Sequence, residues 1–80
     1  MDPILGTIQL FAFNFVPRGW MLCDGTTLPI GQYSAVFALL GTTYGGNGQT
    51  TFALPNLKGK EPLPGSVLCI CMEGVFPQRQ

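Results

Sequence analysis

Cys23 and Asp24 stand side by side in GWMLCDG, residues 19–25. A thiol beside a carboxylate could serve a nucleophilic reaction if a base accompanied it. The chain has no histidine, so the usual base for activating a thiol is missing. Cys69 and Cys71 bring the cysteines to three, one short of a structural zinc quartet and with no imidazole to complete it. On a strand those two would share a face with Cα atoms roughly 6.5 Å apart, marginal for a disulfide. Buried free thiols are expected, with an intermolecular bridge as the alternative in an oxidising compartment. Gly45, Gly46 and Gly48 surround Asn47, but a phosphate loop needs Gly-x-x-x-x-Gly-Lys-Ser/Thr. Gly59-Lys60 is followed by Glu61 and lacks the upstream glycine, so the glycines are read as backbone geometry. With no nucleophile–base pair and no carboxylate pair, the expectation is no enzyme, no catalytic or metal residue and no cofactor.

The elements that would position these residues are short. Ile4 to Phe15 reads as extended, with Ile8, Leu10 and Ala12 on one face and Phe11, Phe13 and Phe15 on the other. Pro17-Arg18-Gly19 breaks that run. Trp20 to Cys23 is a second apolar run, and Asp24-Gly25-Thr26-Thr27 carries a hairpin signal, with Leu28 closing the hairpin before Pro29. From Gln32 to Leu40 the period changes: Tyr33, Val36, Phe37 and Leu40 follow the i, i+3, i+4, i+7 spacing of one helical face. Gly31 is the expected N-cap and Gly41 the expected terminator. A helix so short must dock on a sheet to persist.

Residues 41–60 read as loop-dominated, and Glu61 to Gly65, rich in proline, as a stiff linker or turn. Next comes SVLCICMEGVF, residues 66–76, apolar on both faces apart from Glu73. Val67, Cys69 and Cys71 would lie on one side and Leu68, Ile70 and Met72 on the other. Such a strand needs cover above and below and partners on its edges. It either pairs within its own subunit or is donated to a neighbour, and these six residues are the candidate subunit interface. The fold class expected is α+β: one small β-rich domain spanning residues 1–80, with one short helix docked on the sheet and long glycine-rich loops. Its parts are a core at 6–60, a linker at 61–65 and a C-terminal strand at 66–77.

Composition narrows the function classes. A chain of 80 residues buries only about 60% of its unfolded surface. It is 46% hydrophobic and 10% charged, against roughly 25% charged residues in typical soluble domains. Apolar surface covered by neighbouring copies is the favoured reading over a greasy monomer. The formal net charge is zero, which leaves no basic stripe for a nucleic-acid backbone. No apolar run reaches the roughly 20 residues a membrane span requires. Met1-Asp2-Pro3 lacks the basic start of a secretory signal, so any export would need another route.

In combination these motifs resemble the phage tail collar domain, including the microcystin-dependent-protein group of bacterial homologues. The resemblance runs through residues 6–60 and rests on Phe11-Ala12, Pro17-Arg18-Gly19-Trp20, Cys23-Asp24-Gly25, the run from Leu39 to Gly46, and Thr51-Phe52-x-Leu54-Pro55-Asn56-Leu57. CICMEGVFPQR, residues 69–79, resembles the C-terminal strand of longer members. Those members carry a large distal segment where this chain has only Pro62-Leu63-Pro64-Gly65, so no ligand-binding residue is carried over. The resemblance implies a structural connector in a fibre, located in an extracellular fibre or a virion- or tail-like particle. It also implies a structural corner at residues 19–25. There Trp20 is a core anchor, Cys23 packs as a small hydrophobe, and Asp24 with Gly25 makes the turn; Phe37 and Gly41 are the matching core and turn positions of the helix.

The leading functional expectation is a self-associating structural subunit, forming a homo-oligomer as a filament or a closed trimer. The alternative is a small adhesin that recognises a cell-surface glycan or protein. Tyr44, Asn47, Gln49 and Thr50 could hydrogen-bond a glycan from the glycine-rich loop, unless that loop spends its polar groups on itself.

Overall fold

The computed structural model describes residues 3–78. Met1-Asp2, read above for a secretory signature, and Arg79 of the C-terminal motif lie outside the described residues. Five strands and one helix follow in the order β1 (Ile8–Phe11), β2 (Trp20–Leu22), β3 (Thr27–Pro29), α1 (Ser34–Leu40), β4 (Thr51–Ala53) and β5 (Val67–Cys71). They make two antiparallel sheets, β1-β5-β2 and β3-β4, in keeping with a β-rich α+β fold.

The C-terminal strand is the centre of the larger sheet. Ile8 to Phe11 runs against Ile70 to Val67 on one edge, and Trp20 to Leu22 against Cys71 to Cys69 on the other. This position accounts for a strand apolar on both faces: Cys69, Ile70 and Cys71 are fully buried. The connection through Pro62 and Pro64 is long enough to return the chain to its own sheet, closing with the Ser66 N–H donating to the Leu63 carbonyl (3.3 Å). Met72 lies just past the strand, where its N–H donates to the Gly19 carbonyl (2.8 Å).

Ile70 faces the core with Leu5, Cys23, Leu28, Val36, Phe52 and Leu54. The helix face read from the sequence points into this cluster: Val36 is buried, and Tyr33, Phe37 and Leu40 pack against it from half-buried positions. Phe37 meets Phe52 of β4 with ring centroids 5.5 Å apart. At its end the Gly41 N–H donates to the Phe37 carbonyl (2.7 Å). The helix begins at Ser34, later than expected, with Tyr33 rather than Gly31 at the cap and no side-chain capping bond. Gly31 has no side chain with which to cap, and the Tyr33 N–H is already held in a turn by the Ile30 carbonyl (3.1 Å).

Three expectations are corrected. First, Asp24-Gly25 does not fold β2 back onto β3. β2 joins β5, whereas β3 pairs with β4, placing Leu28 opposite Phe52. The turn signal is real, but local sequence does not say which strands meet across it. Second, the extended run expected from Ile4 to Phe15 is a sheet strand only at Ile8–Phe11; Ile4 makes an isolated bridge and residues 12–15 bend away. Third, the loop-dominated stretch contains β4, whose Phe52 and the following Leu54 are wholly buried. That strand is short, and the glycines before it hide it.

Candidate functional site

The stretch from Gly19 to Gly25 spans the β2 edge and the corner after it. Cys23 is 1% exposed, and burial, with Cys69 and Asp24 nearby, pushes its thiol up to about 11. Burial raises Cys69 as well. All three cysteines are free and buried, and the Cys71 thiol donates weakly to the Glu73 carbonyl (3.3 Å). Thiols held protonated and away from solvent are poor nucleophiles. Among the described residues no group of three or more His, Cys, Asp or Glu could hold a metal, and no helix is long and apolar enough to cross a membrane.

Asp24 works on the backbone. Its carboxylate accepts the Thr26 N–H (3.1 Å) and, in a short contact, the Thr26 hydroxyl. The Thr26 hydroxyl is the main reason its carboxyl is held below the ordinary carboxylate range. Gly25 follows at φ +83°, a conformation that side chains disfavour. Its N–H donates to the Pro55 carbonyl (3.2 Å), while the Cys23 carbonyl accepts from Leu57 (2.8 Å). The corner stitches the 23–27 segment to the 53–57 segment.

Trp20 is half-buried rather than enclosed in the core. Its partner in the ladder is Cys71, so its ring stands on the sheet face opposite Ile70. There it meets Phe11 edge-to-face at 5.1 Å. Because β5 lies between β1 and β2, that contact arches over the central strand on the side of the buried Cys69. The aromatic row continues outward from Phe11 to Phe13 (5.1 Å) and from Phe13 to Phe15 (4.4 Å, stacked). Phe13 is 38% exposed and Phe15 61%. Strand alternation put these three phenylalanines on one face, but the strand ends at Phe11 and the bend through residues 12–15 is what aligns Phe13 and Phe15; the turn at Pro17 that brings Trp20 alongside them was visible only as a break.

The glycine-rich loop uses its polar groups internally. Asn47 Oδ1 accepts the backbone N–H groups of Gln49 (2.8 Å), Thr50 (2.9 Å) and Thr51 (3.1 Å). Its Nδ2 donates to the Thr50 hydroxyl (3.1 Å), and its own N–H to the Thr51 hydroxyl (3.2 Å). Only Tyr44 and Gln49, both exposed, present side chains outward from the group read as glycan contacts. The candidate interface residues Val67, Leu68, Cys69, Ile70, Cys71 and Met72 sit in and just after the central strand, which has no free edge in the single chain. An interface through them requires β5 to leave its own sheet for a neighbour's.

Among the described residues, two of the surface clefts reach several hundred Å³. One of about 390 Å³ is lined by Gly19, Trp20, Met21, Gln32, Tyr33, Met72 and Glu73. The other, about 430 Å³, lies between the helix residues Ala38 and Leu39 and the segment Phe76, Pro77 and Gln78. The sequence did not single out the first cleft, because Trp20, Gln32 and Glu73 come from three separate segments.

No curated protein and no solved structure matches the chain significantly. A family comparison does give a match: the model of the Phage Tail Collar Domain fits residues 6–62. That span holds β1 to β4, the helix, the Asp24-Gly25 corner and the Asn47 loop. The chain belongs to the phage tail collar domain family.

Proposed function

We infer from membership in this family a structural role in phage tail fibres and a tail- or virion-associated location. We propose more specifically that this chain is a self-associating structural subunit of a phage-tail-like fibre or filament, without catalytic activity. The observation that carries the reading is the surface. Phe15, Ile4, Val75, Leu63, Tyr44 and Phe76 all stand at least 45% exposed, in a chain with four basic and four acidic residues. So much apolar surface with so little charge favours cover by other copies. Exposed large hydrophobics and the absence of a free edge on β5 favour contact through the outer surface over strand donation, and an open filament or a closed trimer fits such contact.

Multi-angle light scattering across a wide concentration range, with negative-stain microscopy, tests this. Oligomers or filaments at micromolar concentration are expected. A clean monomer mass at every concentration overturns self-association and leaves the family's structural role standing.

A further inference from the structure

We propose that the cleft between β2 and the loop entering the helix binds a neutral pyranose, the repeating unit of a surface polysaccharide. This goes beyond the structural reading and does not depend on self-association. The cleft's volume, about 390 Å³, falls in the lower part of the range for small-molecule sites and suits one or two sugar rings.

Its walls combine two kinds of surface. Tyr33, Met21 and Met72 supply aromatic and thioether surface, and Gln32 and Glu73 supply an amide and a carboxylate. A pyranose has the matching duality, with an apolar patch of C–H groups and a rim of hydroxyls. Amide and carboxylate groups both accept from neighbouring hydroxyls, and the amide also donates.

The polar groups here are uncommitted. Among the described residues, the side chains of Trp20, Gln32, Tyr33 and Glu73 make no hydrogen bond. The contrast with the Asn47 loop is direct. That loop contains the residue types of a glycan site but bonds them to its own backbone, whereas this cleft leaves them unspent.

Charge narrows the ligand. Glu73 is the one formally charged side chain in the lining, and no cation faces the cleft from the lining residues. An acidic sugar would meet an uncompensated carboxylate, so neutral pyranoses are favoured over sialic or uronic acids.

Trp20 is the only tryptophan in the chain and its strand borders the cleft, so its emission serves as a neighbouring probe. The experiment titrates the full chain with glucose, galactose, mannose and N-acetylglucosamine to high millimolar concentration, with N-acetylneuraminic acid as the acidic comparison. Trp20 emission and saturation-transfer NMR are followed together. A saturable response to at least one neutral sugar is expected, weakened at least about fivefold by Gln32→Ala and by Glu73→Ala. Both positions are exposed, and thermal melts of the two variants check that folding is kept. Silence of both probes for every neutral sugar overturns the proposal, as does binding that both folded variants leave unchanged or that is equally tight for the acidic sugar. If a variant fails to fold, saturation-transfer NMR of the unmodified chain with each neutral sugar decides instead, and no transfer to any of them overturns it.

Discussion

Gly46 sits where a methyl group would lie 2.3 Å from Phe52 Cα and 2.6 Å from the Thr51 carbonyl oxygen, with its backbone at φ +92°. Gly41 also has a positive φ, +57°, but open space around it. The two separate strain from collision. Gly41, at φ +57° and ψ −143°, occupies a backbone region that essentially only glycine adopts, so Gly41→Ala should cost about 1–3 kcal/mol from strain alone, whereas Gly46→Ala should cost beyond about 4 kcal/mol because β4 would have to move. Chemical denaturation of both variants checks the difference; equal costs would mean the loop yields freely. Cys23 gives a pH signature. Its folded pKa, about 11, lies above the ordinary 9.0, so the unfolded chain loses this proton first as pH rises. Its contribution is complete below pH 9 and is lost between pH 9 and about 11, on the order of 2–3 kcal/mol. Urea midpoints across that window should fall, and Cys23→Ala should flatten the fall. Asp24 has the opposite sign. Its folded pKa is depressed, so its contribution is present above the ordinary carboxylate range and is lost as pH drops through the lowered value. Asp24→Asn should remove that acid dependence.

Among the elements, β5 carries the most. It is the shared strand of the β1-β5-β2 sheet, and its Ile70 enters the common core. Ile70→Pro would remove a donor and place a ring inside a central strand. Loss of cooperative folding is expected by circular dichroism; a folded subunit that merely fails to assemble would mean that the strand belongs to a neighbour's sheet. The outer face is less demanding. Trp20→Ala should cost about 2–3 kcal/mol, below the roughly 3–5 kcal/mol of fully enclosed aromatics, because Trp20 is half-buried. Much of this architecture was legible in the sequence. The helical face at Val36 and Phe37 came from periodicity, and the two-sided apolar pattern of residues 67–72 called for a central strand. Pairing was not legible, since Asp24-Gly25 announces a turn without naming partners, and the partner of β3 lies across the helix and the glycine loop. Trp20 was read as a core anchor from the family resemblance; its place opposite Cys71 in the ladder puts it on the other face. The cleft was invisible for the same reason as the pairing: its walls are joined only by folding.

At the scale of the whole molecule, the aromatic row offers a test of assembly that leaves the core alone. Phe15 is 61% exposed, so Phe15→Glu should change stability by no more than about 0.5 kcal/mol while shifting the light-scattering mass toward monomer. An unchanged mass would move the contact to another patch, such as the one around Ile4, Val75 and Phe76. That second patch is where the segment around Ile4 meets the segment around Val75. Ile4 and Val75 form a parallel bridge, held by Leu5 N–H to the Val75 carbonyl (2.8 Å) and Val75 N–H to the Pro3 carbonyl (2.9 Å). Gly74 permits the approach, since a Cβ there would fall 2.3 Å from the Pro3 oxygen. Parallel pairing sends the two ends out at opposite tips of the bridge. A pull on both ends therefore loads its hydrogen bonds side by side, in shear, instead of peeling them one after another. As a link in a fibre under tension, the domain would resist stretching at this clasp before any strand of its sheets felt the load.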